Sequence, residues 1–170
     1  MGRLIKFEVV SMPKLYVVGK SIKLLVKEKM IKEQIRNFWA NCLKDGTLAL
    51  IEEQSEYIFD PSYVGFSIGS KDGYVDYYCG MIMKNGVELP DPEYKIKQLD
   101  KTDVAVGWIQ GKSLSDINLN AFEITEEKMK IEGYRYTNEW SMEVFNCPRF
   151  THTDDFGDRI LDYYLPCYKK

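Results

Sequence analysis

Along the chain, hydrophobic and polar positions change period in a way that marks separate elements. Lys6 to Val10 is a short apolar run that Met12-Pro13 breaks. Leu15 to Val26 is β-branched and partly alternating, the pattern of a strand. From Lys27 to Lys44 the spacing becomes helical: Ile31, Ile35, Phe38, Trp39 and Cys42 recur on one stripe, and Lys29, Lys32, Glu33 and Arg36 fall between them. Asp45-Gly46 stops this helix, and Thr47 is placed to cap a short second one over 48–53. Asp60-Pro61 reads as a turn, Tyr63 to Gly69 as a strand, and Ser70-Lys71-Asp72-Gly73 as a hairpin loop with Tyr74 to Met83 returning. Lys84-Asn85-Gly86 turns again, and Leu89-Pro90-Asp91-Pro92 reads as a linker near the middle of the chain.

The second half opens with two short strands, Tyr94 to Leu99 and Asp103 to Gln110. Gly111 to Gly133 is polar and mostly helical with a weak apolar stripe, which predicts a helix in two pieces. Ser113 to Asp116 resembles a capping box, and Thr125 with Glu126 and Glu127 is a candidate restart. Trp140 to Phe145 is a strand, Cys147 to Gly157 an irregular loop, and Arg159 to Cys167 the final strand. The halves echo each other. Leu15 to Ile22 matches Asp103 to Gln110 in pattern, and Asp76-Tyr77-Tyr78-Cys79 echoes Asp162-Tyr163-Tyr164-Leu165. Each half reads strand, helix, strand, strand. The expectation is an α+β fold: a tandem pseudo-repeat of βαββ units, over about 10–86 and 92–168 of a single 1–170 domain, with an antiparallel sheet and the helices on one face.

Composition narrows the function. The chain has 170 residues, a net charge of −3 and no long basic run, which argues against direct nucleic-acid binding. No stretch reaches the ~20 apolar residues of a membrane span, and residues 1–7 lack the features of a signal peptide. Cys42, Cys79, Cys147 and Cys167 form no CxxC pair and His152 is the single histidine, so no metal site and no cofactor is expected. Four reduced thiols fit a cytoplasmic protein. The surplus is aromatic: 12 Tyr, 8 Phe and 3 Trp. So many rings, with Tyr outnumbering Phe, suit either a ligand pocket or a Tyr-rich sheet core.

Several segments in this order are similar to the GyrI-like superfamily, the AraC-type effector-binding domains. Tyr16-Val17-Val18-Gly19 resembles the opening strand, Asp76-Tyr77-Tyr78-Cys79-Gly80-Met81 the mid-chain strand, and Val104-Ala105-Val106-Gly107-Trp108 the start of the second repeat. Met142-Glu143-Val144-Phe145 resembles the strand with the family's acidic residue, and Leu161 to Pro166 the closing strand. The resemblance covers about residues 10–168. It implies a cleft between the halves that takes a small organic ligand, lipophilic and aromatic or cationic. Its lining would be Trp39, Phe66, Tyr78, Trp108, Trp140, Glu143 and Phe145. Phe145 stands where the family often has Tyr, and Phe122 to Glu139 departs from a regular amphipathic helix.

The residues have readings of their own. Glu143 stands among apolar neighbours, on a solvated sheet face or in an aromatic cleft. In a cleft its carboxylate is poorly solvated, and a bound cation relieves that cost while rings add cation–π attraction. Trp39, Trp108 and Trp140 suit a pocket rim or the core equally, and only one of Tyr77 and Tyr78 can face the helices. His152 lies in an acidic loop with no nucleophile beside it in sequence, a setting that suits a solvated histidine better than a general base or a haem ligand. The resemblance implies a stand-alone binding domain for multidrug binding, transcription-linked sensing or sequestration of toxic compounds. It offers two alternatives: a hydrolase of reactive cyclopropane-containing natural products with Glu143 as catalytic general base, and a gyrase-inhibitor-like protein partner. The oligomeric state is not legible.

Overall fold

A computed structural model describes residues 1–170, and the chain divides into two units, Lys14–Asp100 and Met1–Pro13 with Lys101–Lys170. By their order along the chain alone, we call the first the inner unit and the second the outer unit. All ladders within them run antiparallel.

The outer unit begins with β1 (Arg3–Met12), which extends the apolar run seen in the sequence in both directions. The inner unit follows with β2 (Leu15–Leu25), α1 (Ile31–Lys44), α2 (Thr47–Glu52), β3 (Ile58–Gly69), β4 (Tyr74–Met83) and β5 (Lys95–Leu99). Its strand order is β3-β4-β2-β5. The chain then completes the outer unit with β6 (Thr102–Gly111), α3 (Leu114–Asn118), α4 (Ala121–Ile131), β7 (Tyr134–Tyr136), β8 (Trp140–Phe145) and β9 (Arg159–Lys169). There the order is β1-β6-β9-β8, with β7 pairing the far end of β9. The triplets β2-β4-β3 and β6-β9-β8 are equivalent, and β5 flanks the first as β1 flanks the second. The α+β fold with a βαββ pseudo-repeat is therefore present.

Local chemistry explains the boundaries. α1 buries its Cys42 stripe and ends at Asp45, after which Gly46 takes a left-handed φ of 77°. The cap of α2 differs from expectation: Thr47 lies inside the helix, and the Asp45 carboxylate accepts from the Thr47 amide (2.9 Å) and hydroxyl. The β3–β4 hairpin turns through Asp72 (φ 63°) and Gly73 (φ 77°), a left-handed pair suited to a tight loop. Asp60-Pro61 is not a turn. It is a bulge inside β3, where the register against β4 slips and the Asp60 side chain accepts from the Ser62 amide at 2.8 Å.

In the outer unit the helix does come in two pieces. Ser113 caps α3 by accepting from the Asp116 amide at 3.1 Å. α4 restarts at Ala121, so Thr125 is interior and its hydroxyl donates back to the Ala121 carbonyl at 2.8 Å. β7, only three residues long, has no counterpart in the sequence reading.

Each unit packs its helices on one side of its sheet. In the inner unit Val18, Cys42, Leu48, Ile51, Cys79 and Met81 form that core. In the outer unit the helix side holds two smaller clusters, one around Ala105, Met129 and Leu165, the other around Ile109, Ile117 and Leu161. Gly107 lies between Ala105 and Ile109 on that face. A Cβ there would come within 2.6 Å of the Thr125 hydroxyl, so α4 can approach only because residue 107 is glycine.

The first of the two echoes, Leu15–Ile22 with Asp103–Gln110, follows the strand equivalence; the second does not share its register. Asp76 pairs with Lys23, whereas Asp162 pairs with Trp108, the counterpart of Lys20. Counted from the first echo the two Asp-Tyr-Tyr runs are three rungs apart, yet Tyr77 and Tyr163 both face the helices of their own units; it is the first echo that matches opposite faces, helix-side Val18 with far-side Val106.

Candidate functional site

Register assigns every candidate residue to a face. In the outer unit Gly107, Tyr163 and Glu143 occupy one rung across β6, β9 and β8. Gly107 meets Thr125 of α4, and Tyr163 meets the Phe122 ring of α4 edge-on at 6.4 Å. Glu143 therefore lies on the helix side. Ser141 and Phe145, two residues either way, share that side. Phe145 stacks obliquely on Phe150 at 4.9 Å, and Phe122 also meets Tyr136 edge-on at 5.4 Å. The three helix-side members of β8, Ser141, Glu143 and Phe145, are half-buried, and they alternate with the buried Trp140, Met142 and Val144.

The next rung holds Trp108, Asp162 and Val144, on the far face. Trp108 meets two cations, the Lys6 ammonium 4.3 Å and the Arg149 guanidinium 4.0 Å from its ring centroid. Arg149 forks onto the buried Asp162 carboxylate at 3.1 and 2.6 Å. Trp140, on the same side as Val144, is buried as well. Neither Trp108 nor Trp140 shares a face with Glu143.

The inner unit repeats this division. Trp39 donates through its indole N–H to the Tyr77 hydroxyl at 2.7 Å, and Phe38 meets the Tyr77 ring at 6.3 Å, so Tyr77 faces α1. Tyr78 points the other way, where it pairs directly with Phe66, edge to face at 5.5 Å. Phe66 is wholly buried. Of the residues implied by the resemblance, Trp39, Glu143 and Phe145 are on the helix side of their own units. Phe66, Tyr78, Trp108 and Trp140 are on the far side of theirs.

Sequence reasoning did not include Tyr163, Phe122 and Tyr136 in the surroundings of Glu143. Only strand register pairs Tyr163 with Glu143, and no spacing in the sequence carries it. These phenols are tuned by their setting. Burial pushes the Tyr163 hydroxyl above the ordinary tyrosine range, opposed by a hydrogen bond with Ser141 and aided by the Glu143 carboxylate. Burial, with Glu126 and Glu139, raises Tyr136 to about 12. Both stay protonated near neutrality, as hydrogen-bonding groups on an aromatic wall. The wall thus offers one carboxylate, the protonated Tyr163 phenol and the Phe122, Phe145 and Phe150 rings, while the Tyr136 hydroxyl donates to the Trp140 carbonyl at 3.0 Å.

No group of three His, Cys, Asp or Glu side chains is arranged to hold a metal ion. His152 is exposed, its Nδ1 3.0 Å from the Thr151 hydroxyl. No helix is long and apolar enough to cross a membrane.

Several solved structures share this arrangement of strands and helices. SAV2435 bound to tetraphenylphosphonium matches with a TM-score of 0.72 at 15% identity, over 96% of this chain and 94% of its own. The fold is GyrI-like. A Staphylococcus aureus MU50 protein assigned to transcription regulation matches with a TM-score of 0.69 at 17% identity, over 96% and 98% of the two chains. The EcmrR C-terminal domain aligns at 0.58 and 13% identity, over 97% and 98%. No family model and no curated protein matches the sequence.

Proposed function

We propose that this GyrI-like protein binds a small lipophilic organic molecule, aromatic and cationic, with Glu143 as the partner of its positive charge. The observation that carries the reading is the place of Glu143: a half-buried carboxylate on the helix side of the outer unit, opposite Tyr163 and two residues from Phe145. A carboxylate bordered by rings favours a delocalised cation over a hydrated one, because the rings add attraction and the ligand loses little solvation on entry. The ligand named with SAV2435, tetraphenylphosphonium, belongs to that class. Such binding suits sensing linked to transcription or the sequestration of a toxic compound. Within this proposal Phe145 remains a ligand-side ring. Phe66, Tyr78, Trp108 and Trp140 act through the packing of the far faces.

The test is tetraphenylphosphonium binding by calorimetry to the wild type and to Glu143→Gln. Saturable binding that weakens about tenfold in the variant, roughly 1.4 kcal/mol, supports the reading. Equal affinity for both proteins, or no binding, rejects it. Hydrolysis is a second use of the same carboxylate, as general base for a water. It predicts turnover of a bound electrophile that Glu143→Gln abolishes while binding persists.

A further inference from the structure

We propose that Arg159 forms an anion-binding end of the Glu143 site, so that the ligand is amphoteric: an aromatic cation that also carries a carboxylate. The proposal rests on the reading of Glu143 given above and adds a second, opposite requirement.

Arg159 lies four residues before Tyr163 on β9, hence on the same helix-side face, roughly 13 Å along the strand. Aromatic rings fill the interval. The Arg159 guanidinium lies 5.3 Å from the Phe150 ring centroid, Phe150 lies 4.9 Å from Phe145, and Phe145 is two residues from Glu143. Leu161 closes the floor between Arg159 and Tyr163 and is wholly buried. The surface therefore reads carboxylate, ring, ring, guanidinium.

Arg159 has no acceptor, unlike Arg3, Lys112, Arg149 and Lys169 of the same unit. Its Nε is shut off from solvent and meets no hydrogen-bond partner, and no carboxylate pairs with it. Arg149, ten residues earlier, forks onto Asp162. The acid next to Arg159 in sequence, Asp158, is engaged elsewhere, by Lys112 at 2.8 Å. An N–H taken out of water with nothing to accept it is costly to the fold. A planar anion offered to the guanidinium fork supplies the missing acceptor, and the flat Phe150 beneath it suits a carboxylate carried on an aromatic group.

The discriminating probes are rhodamine B as its free acid and rhodamine B ethyl ester. They share the cationic ring system and differ in the carboxylate. Fluorescence anisotropy should give the free acid about tenfold tighter binding than the ester to the wild-type protein. Arg159→Gln should erase that preference by weakening the acid alone, and Arg159→Lys should restore part of it. Equal binding of acid and ester to the wild type overturns the proposal, as does an equal loss for both dyes in Arg159→Gln. If tetraphenylphosphonium binds and neither rhodamine does, the amphoteric ligand is rejected and the Glu143 reading stands. If none of the three binds, both fall. The wild-type comparison needs no variant, so it decides the matter even if Arg159→Gln fails to fold.

Discussion

The inner and outer units carry the same strand plan and fill their helix sides differently. The inner unit uses the single long helix α1 with α2 over one continuous core, in which sulfur and aliphatic groups from Val18, Cys42, Cys79 and Met81 interlock. Its polar atoms there are satisfied internally: Tyr94 donates to the Thr47 carbonyl at 2.8 Å, and Trp39 to Tyr77 at 2.7 Å. The outer unit breaks its helix into α3 and α4 and splits its core in two. Around that division it places Tyr163, Glu143 and Arg159. A duplicated plan can keep one copy as an apolar support and let the other carry charge, because a split core tolerates half-buried polar groups that a continuous one would reject.

The contrast can be broken most forcefully at Phe66. As a far-face core residue of the inner unit it should cost about 3–5 kcal/mol on truncation to Ala, read by urea denaturation. A loss under 1 kcal/mol would mean that Phe66 lines open space and that the face assignment is wrong. The glycines test the difference between the units next. A Cβ on Gly19 would stand 2.0 Å from the Cys79 carbonyl oxygen, an obstacle of backbone, whereas the Gly107 obstacle is the Thr125 side chain at 2.6 Å. Gly19→Ala should therefore destabilise by about 3 kcal/mol and Gly107→Ala by about half that. Thr125→Ala should recover part of the Gly107→Ala loss; failure to do so would remove the steric account of that glycine.

The smallest effect is expected at Asp45, which the inner unit alone has. It ends α1 and supplies the first acceptor for α2. Asp45→Ala should cost about 1 kcal/mol. The Thr47 hydrogen bonds, with help from Lys20, hold the Asp45 carboxyl below its ordinary range. Its contribution is thus complete above the unfolded carboxylate pKa of about 3.9 and disappears as pH falls through the lower folded value. Wild type and Asp45→Ala should converge in stability on acidification below pH ~4, and a constant gap down to the acid limit would contradict the role.

Much of this fold is legible in the chain. The Ile31–Cys42 stripe, the Asp72-Gly73 loop and the weak pattern before Gly133 each produce the element they predict, because local periodicity and turn chemistry act in the same direction. Asp60-Pro61 misleads because a proline bulge inside a strand uses the same residues as a turn. β7 escapes because three residues carry no period. The site is legible to a lesser degree. Alternation separates Tyr77 from Tyr78, and Glu143 from Met142 and Val144, without saying which of them meets a helix. That depends on which rung of β9 stands opposite Glu143, a long-range pairing fixed by the whole sheet. The repeated Asp-Tyr-Tyr run keeps its facing, since Tyr77 and Tyr163 both meet a helix, whereas the Leu15–Ile22 and Asp103–Gln110 echo matches residues on opposite faces.

The interleaving of the units has a consequence for synthesis. β1 pairs with β6 from Arg3↔Gln110 to Met12↔Thr102, and the entire inner unit lies between the two strands in the chain. On a ribosome adding about 5–20 residues per second, β1 waits roughly 5–20 s for its partner while the inner unit has every strand it needs. Arg3, Lys6 and Glu8 put charge on β1 during that interval. Such charges discourage a waiting strand from pairing with the wrong edge. The order of translation thus favours completing the apolar support before the charged wall is assembled.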